Sequence, residues 1–116
     1  MPQDLDSIKE ALRKFAHDRQ WDKYHSPKNI AMALTVEAAE LQEIFQWMSE
    51  EESASPDSDT LQAIKHEIAD VFLYLLTISR VLNIDILDAA TEKLALNAIK
   101  YPLDKSRGNA TKYTKL

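Results

Sequence analysis

The chain has 116 residues, a normal length for one domain with a modest buried core. It contains one glycine, four prolines and no cysteine, which disfavours an all-β fold and excludes disulfides, thiolate metal sites and a cysteine nucleophile. The formal net charge of −5 argues against general binding of nucleic acid, which requires a basic surface.

The first half of the chain predicts two helices. The first begins near Asp4 or Asp6 and ends near Gln20, with apolar residues at helical spacing. Residues 21–25 form a short link rich in aromatic residues. Ser26 followed by Pro27 is typical of a helix cap and first helical residue, so the second helix runs from there to about Met48.

The second half predicts two more helices. Residues 50–59 are acidic and rich in serine, which indicates a solvated loop. A third helix is expected from a cap at Asp59 to about Leu82, and a fourth from a cap at Asp85 to Tyr101. The predicted fold is an all-α four-helix bundle over residues 1–102, followed by a basic tail, residues 103–116.

The location expected from the sequence is cytoplasmic. The first residues lack the basic and apolar regions of a signal peptide. The longest apolar stretch, residues 68–82, is too short to cross a bilayer and contains Asp70 and Arg80. We therefore expect no membrane partner.

The third predicted helix is apolar around most of its circumference. A helix of this kind is usually buried, and in so small a chain one of its faces is expected to meet another subunit. This pattern predicts a homo-oligomer, either a dimer or a tetramer.

Two pairs of carboxylates lie on helix faces that should be apolar. Glu37 and Glu40 on the second predicted helix, and Glu67 and Asp70 on the third, each have i,i+3 spacing, so the members of a pair point the same way. Charged groups on a core-facing stripe are costly unless they are compensated. Four acids without a matching cluster of bases indicate a bound cation.

The type of ligand narrows the choice of cation. All-oxygen coordination favours hard ions such as Mg²⁺ or Mn²⁺. A di-iron bundle would require Glu-x-x-His pairs, and His17, His25 and His66 do not have that spacing. Aromatic and polar groups suited to a nucleotide lie nearby in sequence, although each aromatic residue taken alone is more often part of a core: Trp21, Trp47, Tyr74, Lys93, Asn97 and Lys100.

An ordered series of motifs resembles a known family. Glu-x-x-Glu followed by Glu-x-x-Asp is similar to the signature of the MazG-like all-α nucleoside triphosphate pyrophosphohydrolases. The resemblance to their small dCTP pyrophosphatase branch covers nearly the whole chain, through Arg19-Gln20-Trp21, His25-Ser26-Pro27-Lys28-Asn29, Glu37-Ala38-Ala39-Glu40-Leu41, Phe45-Gln46-Trp47, Glu67-Ile68-Ala69-Asp70-Val71, Lys93 with Asn97, Tyr101-Pro102 and Lys112-Tyr113-Thr114.

The resemblance implies an enzyme that uses Mg²⁺ to cleave dCTP, or a modified dCTP, between the α and β phosphates. The implied metal ligands are Glu37, Glu40, Glu67 and Asp70, and Glu40 is assigned to orient or deprotonate the attacking water. The implied substrate-binding residues are Trp21, His25, Trp47, Tyr74, Lys93, Asn97 and Lys112. Family members assemble as dimers of dimers, with sites shared between subunits.

One position departs from the pattern. Close eukaryotic relatives carry a histidine in the first helix near the base pocket, where this chain has Leu12. Recognition of cytosine is therefore less firmly implied than the reaction. The alternatives are a non-catalytic helical oligomer whose acids bind a basic partner, and a phosphohydrolase acting on nucleoside diphosphates or a phosphoribosyl compound.

Overall fold

The computed structural model describes residues 3–116, and this part of the chain contains helices and no β-strand. The helices are α1 (Leu5–Asp18), α2 (Pro27–Phe45), α3 (Glu50–Ala54), α4 (Ser58–Val81), α5 (Ile86–Lys100) and α6 (Leu103–Ser106), with 3₁₀ turns at Asp22–Tyr24 and Tyr113–Lys115. The predicted all-α class is confirmed. Among the described residues, no helix combines the length and apolarity needed to cross a membrane.

The chain forms two compact units, of which the first ends at Asn83 and the second is Ile84–Leu116. In the first unit α2 packs along α4, and α1 packs against α4. The pair α2–α4 is antiparallel, since Glu37 lies near Asp70 whereas Ile44 lies near Ala63. The most deeply buried apolar side chains come from all three helices: Ala16, Ile30, Ile64 and Leu76.

The end of α1 fixes the position of Trp21. The amide of Trp21 donates to the carbonyl of Ala16 at 2.9 Å, and the amide of Gln20 donates to that of His17 at 3.0 Å. This pair of bonds is the Schellman motif, in which one residue adopts a left-handed conformation, here Gln20 with φ of 55°. The indole consequently meets Phe15 edge to face, with ring centroids 5.5 Å apart.

Two predicted boundaries were wrong around residues 46–59. Helix α2 ends at Phe45 rather than near Met48, and residues 50–54 form α3 instead of a loop. The reason is a capping box: the Ser49 hydroxyl accepts from the Glu52 amide at 3.1 Å, and the Glu52 carboxylate accepts from the Ser49 amide at 3.2 Å.

The cap of α4 is Asp57 rather than the predicted Asp59, because its carboxylate accepts from the Thr60 amide at 2.8 Å. Asp57→Ala should therefore lower the free energy of unfolding by about 1 kcal/mol, the usual effect of losing a capping side chain. Asp59→Ala is the matched control, with a smaller effect through the helix dipole. Urea unfolding measures both, and an equal loss in the two variants would contradict the cap assignment.

Three other predicted helix ends agree with the structure, whereas α1 ends at Asp18 rather than near Gln20. Ser26 accepts from the Asn29 amide and Pro27 is the first residue of α2. Asn83 follows α4 with a positive φ of 56°, a conformation that asparagine tolerates. Asp85 caps α5.

The second unit brings part of the basic tail back to the end of α5. The rings of Tyr101 and Tyr113 meet edge to face at 5.9 Å, and the ammonium of Lys100 lies 4.9 Å from the Tyr113 ring centroid. The described tail thus has local structure, with α6 and a 3₁₀ turn. The division into a bundle of residues 1–102 and a separate tail stays a prediction.

Candidate active site

Three of the four predicted acids converge between α2 and α4. One carboxylate oxygen from each of Glu37, Glu67 and Asp70 lies within 4.8 Å of the other two. The antiparallel packing of α2 and α4 creates this cluster, since it sets the inward face of one acidic pair opposite that of the other.

The environment of the cluster resists negative charge. The pKa of Glu37 is raised from its ordinary 4.5 to about 7. Burial is the largest cause, followed by the hydrogen bonds that a protonated Glu37 can make to Glu67 and Glu40, and by the negative charges of Glu40 and Asp70. A carboxyl with such a pKa is partly protonated at neutral pH unless a cation takes the place of the proton.

The cluster fits a divalent cation. One oxygen of Glu37 and one of Glu67 are buried and have no hydrogen-bond partner, although buried polar atoms are normally paired. The donors are all carboxylate oxygens, the ligands preferred by hard ions. These two buried oxygens without hydrogen-bond partners distinguish the cluster from an ordinary acidic surface.

Glu40 lies at the outer edge of the cluster. It is exposed, and with Glu67 it lines an open acidic groove that also includes Glu43 and Ile44. It is close enough to Glu37 to affect the pKa of that residue. Its roles as a fourth ligand and as the residue that activates water stay predictions.

An apolar cavity of about 240 Å³ opens beside the acids. Glu37 and Asp70 form its acidic end, and the predicted substrate residues Trp21, His25 and Tyr74 line it as well. The remaining lining residues are Leu12, Phe15, Ala16, Leu73 and Thr77. A pocket that is mainly apolar, with a few polar groups and adjacent carboxylates, suits a ligand that has a ring at one end and anionic groups at the other.

Local structure places His25 in this cavity. The 3₁₀ turn after Trp21 ends with the His25 amide donating to the carbonyl of Asp22 at 3.1 Å, immediately before the Ser26 cap of α2. The Asn29 side chain donates to the carbonyl of Tyr24 at 3.2 Å, which ties this turn to α2. The buried Nδ1 atom of His25 has no hydrogen-bond partner.

Comparison with known proteins assigns the chain to a family, because the model of the MazG-like family matches residues 32–116. The chain belongs to the MazG-like family. The resemblance predicted from its motifs is confirmed, including the dCTP pyrophosphatase-like branch.

Individual relatives of this MazG-like chain agree with that branch. Mouse dCTP pyrophosphatase 1 is 36% identical over 115 residues, which cover 97% of this chain and 67% of the relative. The human protein of that name is 32% identical over 114 residues, with the same coverage. The crystal structure of a pyrophosphatase from Archaeoglobus fulgidus DSM 4304 superposes with a TM-score of 0.76 at 36% identity, covering 88% of this chain and 98% of that one.

Four further residues of the MazG-like chain were predicted to bind substrate: Trp47, Lys93, Asn97 and Lys112. Trp47 follows the end of α2, is 89% exposed, and does not line the cavity. Lys93, Asn97 and Lys112 belong to the second unit, where Asn97 is half-buried and the two lysines are exposed. The roles of all four stay predictions.

Four lining residues were not among the predicted site residues: Phe15, Ala16, Leu73 and Thr77. Helical spacing could have identified the last two as site residues, because Leu73 and Thr77 follow Asp70 by three and seven residues and share its helix face. Leu12, noted in the sequence as a departure from relatives, does line the cavity.

Proposed function

We propose that the chain hydrolyses a deoxynucleoside triphosphate, dCTP or a modified dCTP, between the α and β phosphates in a Mg²⁺-dependent reaction. The products are a nucleoside monophosphate and pyrophosphate. The observation that carries the proposal is the junction of a cation-fitting acidic cluster with an apolar, aromatic-lined cavity. The relatives named dCTP pyrophosphatase 1 support the choice of base. The corresponding role is removal of unwanted nucleotides in the cytoplasm.

In this proposal Glu37, Glu67 and Asp70 hold the metal, and Glu40 completes the set and orients or deprotonates the attacking water. When bound, Mg²⁺ would supply positive charge to the phosphate oxygens as the phosphorus–oxygen bond breaks. Phosphoryl transfer depends mainly on positioning and charge stabilisation, so a covalent nucleophile is not needed. Mn²⁺, which takes similar ligands, is expected to substitute.

The cavity would hold the base. The indole of Trp21, held against Phe15 by the end of α1, offers an aromatic surface, and Tyr74 on α4 offers a second. His25 brings a ring nitrogen without a partner. From the resemblance we also propose Trp47, Lys93, Asn97 and Lys112 as substrate contacts; matched positions in the sequence are their support.

We also propose that the chain self-associates as a homodimer or homotetramer. Helix α4 leaves large apolar side chains exposed along its length: Leu61, Ile68, Phe72 and Leu75. An apolar surface of this kind is typical of a subunit interface. A molar mass equal to one chain at every concentration in light scattering would contradict this proposal.

A panel of canonical and 5-modified deoxynucleoside triphosphates, incubated with and without Mg²⁺, tests the reaction. The expected result is stoichiometric monophosphate and pyrophosphate, fastest with a cytosine nucleotide and absent in excess chelator. Release of orthophosphate alone would indicate cleavage at the terminal phosphate. No cleavage of any nucleotide would favour the non-catalytic oligomer, and cleavage restricted to diphosphates or a phosphoribosyl compound would favour the related phosphohydrolase.

A further inference from the structure

Thr77 lies on the cavity side of α4, far from the acidic cluster. It follows Asp70 by seven residues on the same helix face, a rise of about 10 Å along α4. Both residues line the cavity, so the cavity extends along α4 from the acids to Thr77. Apolar side chains from α1 and α4 form much of the remaining wall: Leu12, Phe15, Ala16 and Leu73.

The hydroxyl of Thr77 has its proton already engaged. The residue is 4% exposed, and its Oγ1 atom donates to the Leu73 carbonyl at 2.8 Å. A hydroxyl has one proton to donate and two lone pairs that accept. In this state Thr77 can only accept a hydrogen bond from a ligand.

We propose that Thr77 determines base selectivity by accepting a hydrogen bond from an exocyclic amino group of the base. This inference rests on the proposed function. Cytosine carries an amino group where uracil and thymine carry a carbonyl, whose lone pairs would face those of Oγ1. Turning the hydroxyl to donate to that carbonyl would sacrifice its bond to Leu73, so a uracil base gains no net hydrogen bond.

The ring of His25, which also lines the cavity, does not make this distinction. A neutral histidine ring has one nitrogen that donates and one that accepts, and the tautomer determines which is which. The free Nδ1 of His25 can therefore serve either an amino group or a carbonyl. Thr77 differs because its hydroxyl already donates its one proton to the Leu73 carbonyl.

The test compares kcat and KM for Mg-dCTP and Mg-dUTP in wild type, Thr77→Val and Thr77→Ser. Valine keeps the shape and removes the oxygen, so the dCTP:dUTP ratio of kcat/KM should fall about three- to tenfold, the range of one neutral hydrogen bond, mainly through a higher KM for dCTP. Serine restores the oxygen and should retain the wild-type ratio.

Ser79→Ala is the matched control. Ser79 is also buried on α4, and its hydroxyl donates to the Leu75 carbonyl at 2.8 Å, but it does not line the cavity. Its replacement removes the same kind of bond and should leave the ratio unchanged. An equal change in Ser79→Ala and Thr77→Val would overturn the inference, because the effect would then be structural.

Calorimetric binding of dCMP and dUMP separates this inference from the proposed reaction. The preference for dCMP should fall by the same factor in Thr77→Val and be retained in Thr77→Ser. If the wild type cleaves no triphosphate but shows this binding pattern, the reaction is wrong and the role of Thr77 stands. If triphosphates are cleaved and the valine variant keeps the wild-type ratio, or wild type shows no cytosine preference, the inference is wrong.

Discussion

Glu67→Gln is expected to reduce kcat/KM for the preferred triphosphate at least about a hundredfold while the helices remain folded. The amide keeps the shape of the side chain but removes the negative charge at the centre of the acidic cluster, where Glu67 has a buried oxygen without a partner. Metal-assisted charge stabilisation contributes several kcal/mol to such reactions, and each 1.36 kcal/mol is a factor of ten in rate.

The matched control for this variant is Glu51→Gln, an identical change at an exposed residue of α3 outside the cluster and the cavity. It should retain wild-type activity. Circular dichroism and thermal unfolding verify that both variants are folded. Wild-type Mg²⁺-dependent turnover in folded Glu67→Gln would refute the site assignment.

A second large effect is expected in the dependence of stability on pH and metal. The pKa of Glu37 is about 7 in the folded chain against an ordinary 4.5, so between these values the folded state holds a proton that the unfolded state has lost. The free energy of unfolding should therefore fall as pH rises through this range in the presence of chelator. The stabilisation is complete below pH 4.5 and is lost as pH passes about 7.

The carboxylates whose pKa values are lowered do not obscure this signal. Hydrogen bonds lower the pKa values of Asp4, Glu10, Asp18 and Asp57 below their ordinary values, so their stabilisation is lost at more acidic pH. Urea unfolding at pH 5, 6, 7 and 8 should show the slope in wild type and a flatter profile in Glu37→Gln. Equal slopes in the two proteins would contradict a shifted Glu37.

Magnesium should reverse the loss of stability at high pH, because it is expected to bind the acidic cluster in place of the proton. Binding to the folded state alone raises the free energy of unfolding by about 2.7 kcal/mol at a hundredfold excess over the dissociation constant. The increase should be smaller at pH 5, where a proton competes, and smaller in Glu37→Gln. An unchanged melting temperature across millimolar Mg²⁺ at pH 8 would instead mean that the carboxylates do not hold the ion.

Local sequence signals predicted most of the helices. Ser26 and Asp85 act through bonds within one helical turn, and Asn83 acts through its own backbone conformation. Their effects can therefore be predicted without knowledge of tertiary contacts. The same reasoning, applied fully to Ser49 and Glu52, would have predicted α3, because serine three residues before glutamate is the pattern of a capping box.

The acidic cluster was predictable for a different reason. Charged side chains on an apolar helix face need compensation, so their placement alone indicates that they converge on a compensating group such as a cation. The cavity beside them depends on how α1 lies against α4, which involves residues more than fifty positions apart. Helical spacing identified the face that carries Asp70 and Tyr74, but it did not indicate that Phe15 and Thr77 would line the same cavity.

The left-handed residue at the end of α1 has a consequence for how such proteins diversify. The bonds that end α1 determine the position of the Trp21 indole, whereas the packing of α2 against α4 determines the positions of the carboxylates. Because the bonds that end α1 involve none of these carboxylates, we expect substitutions at Gln20 to move the indole without displacing an acid. Ligand preference and phosphate chemistry can therefore evolve along separate routes within one small scaffold.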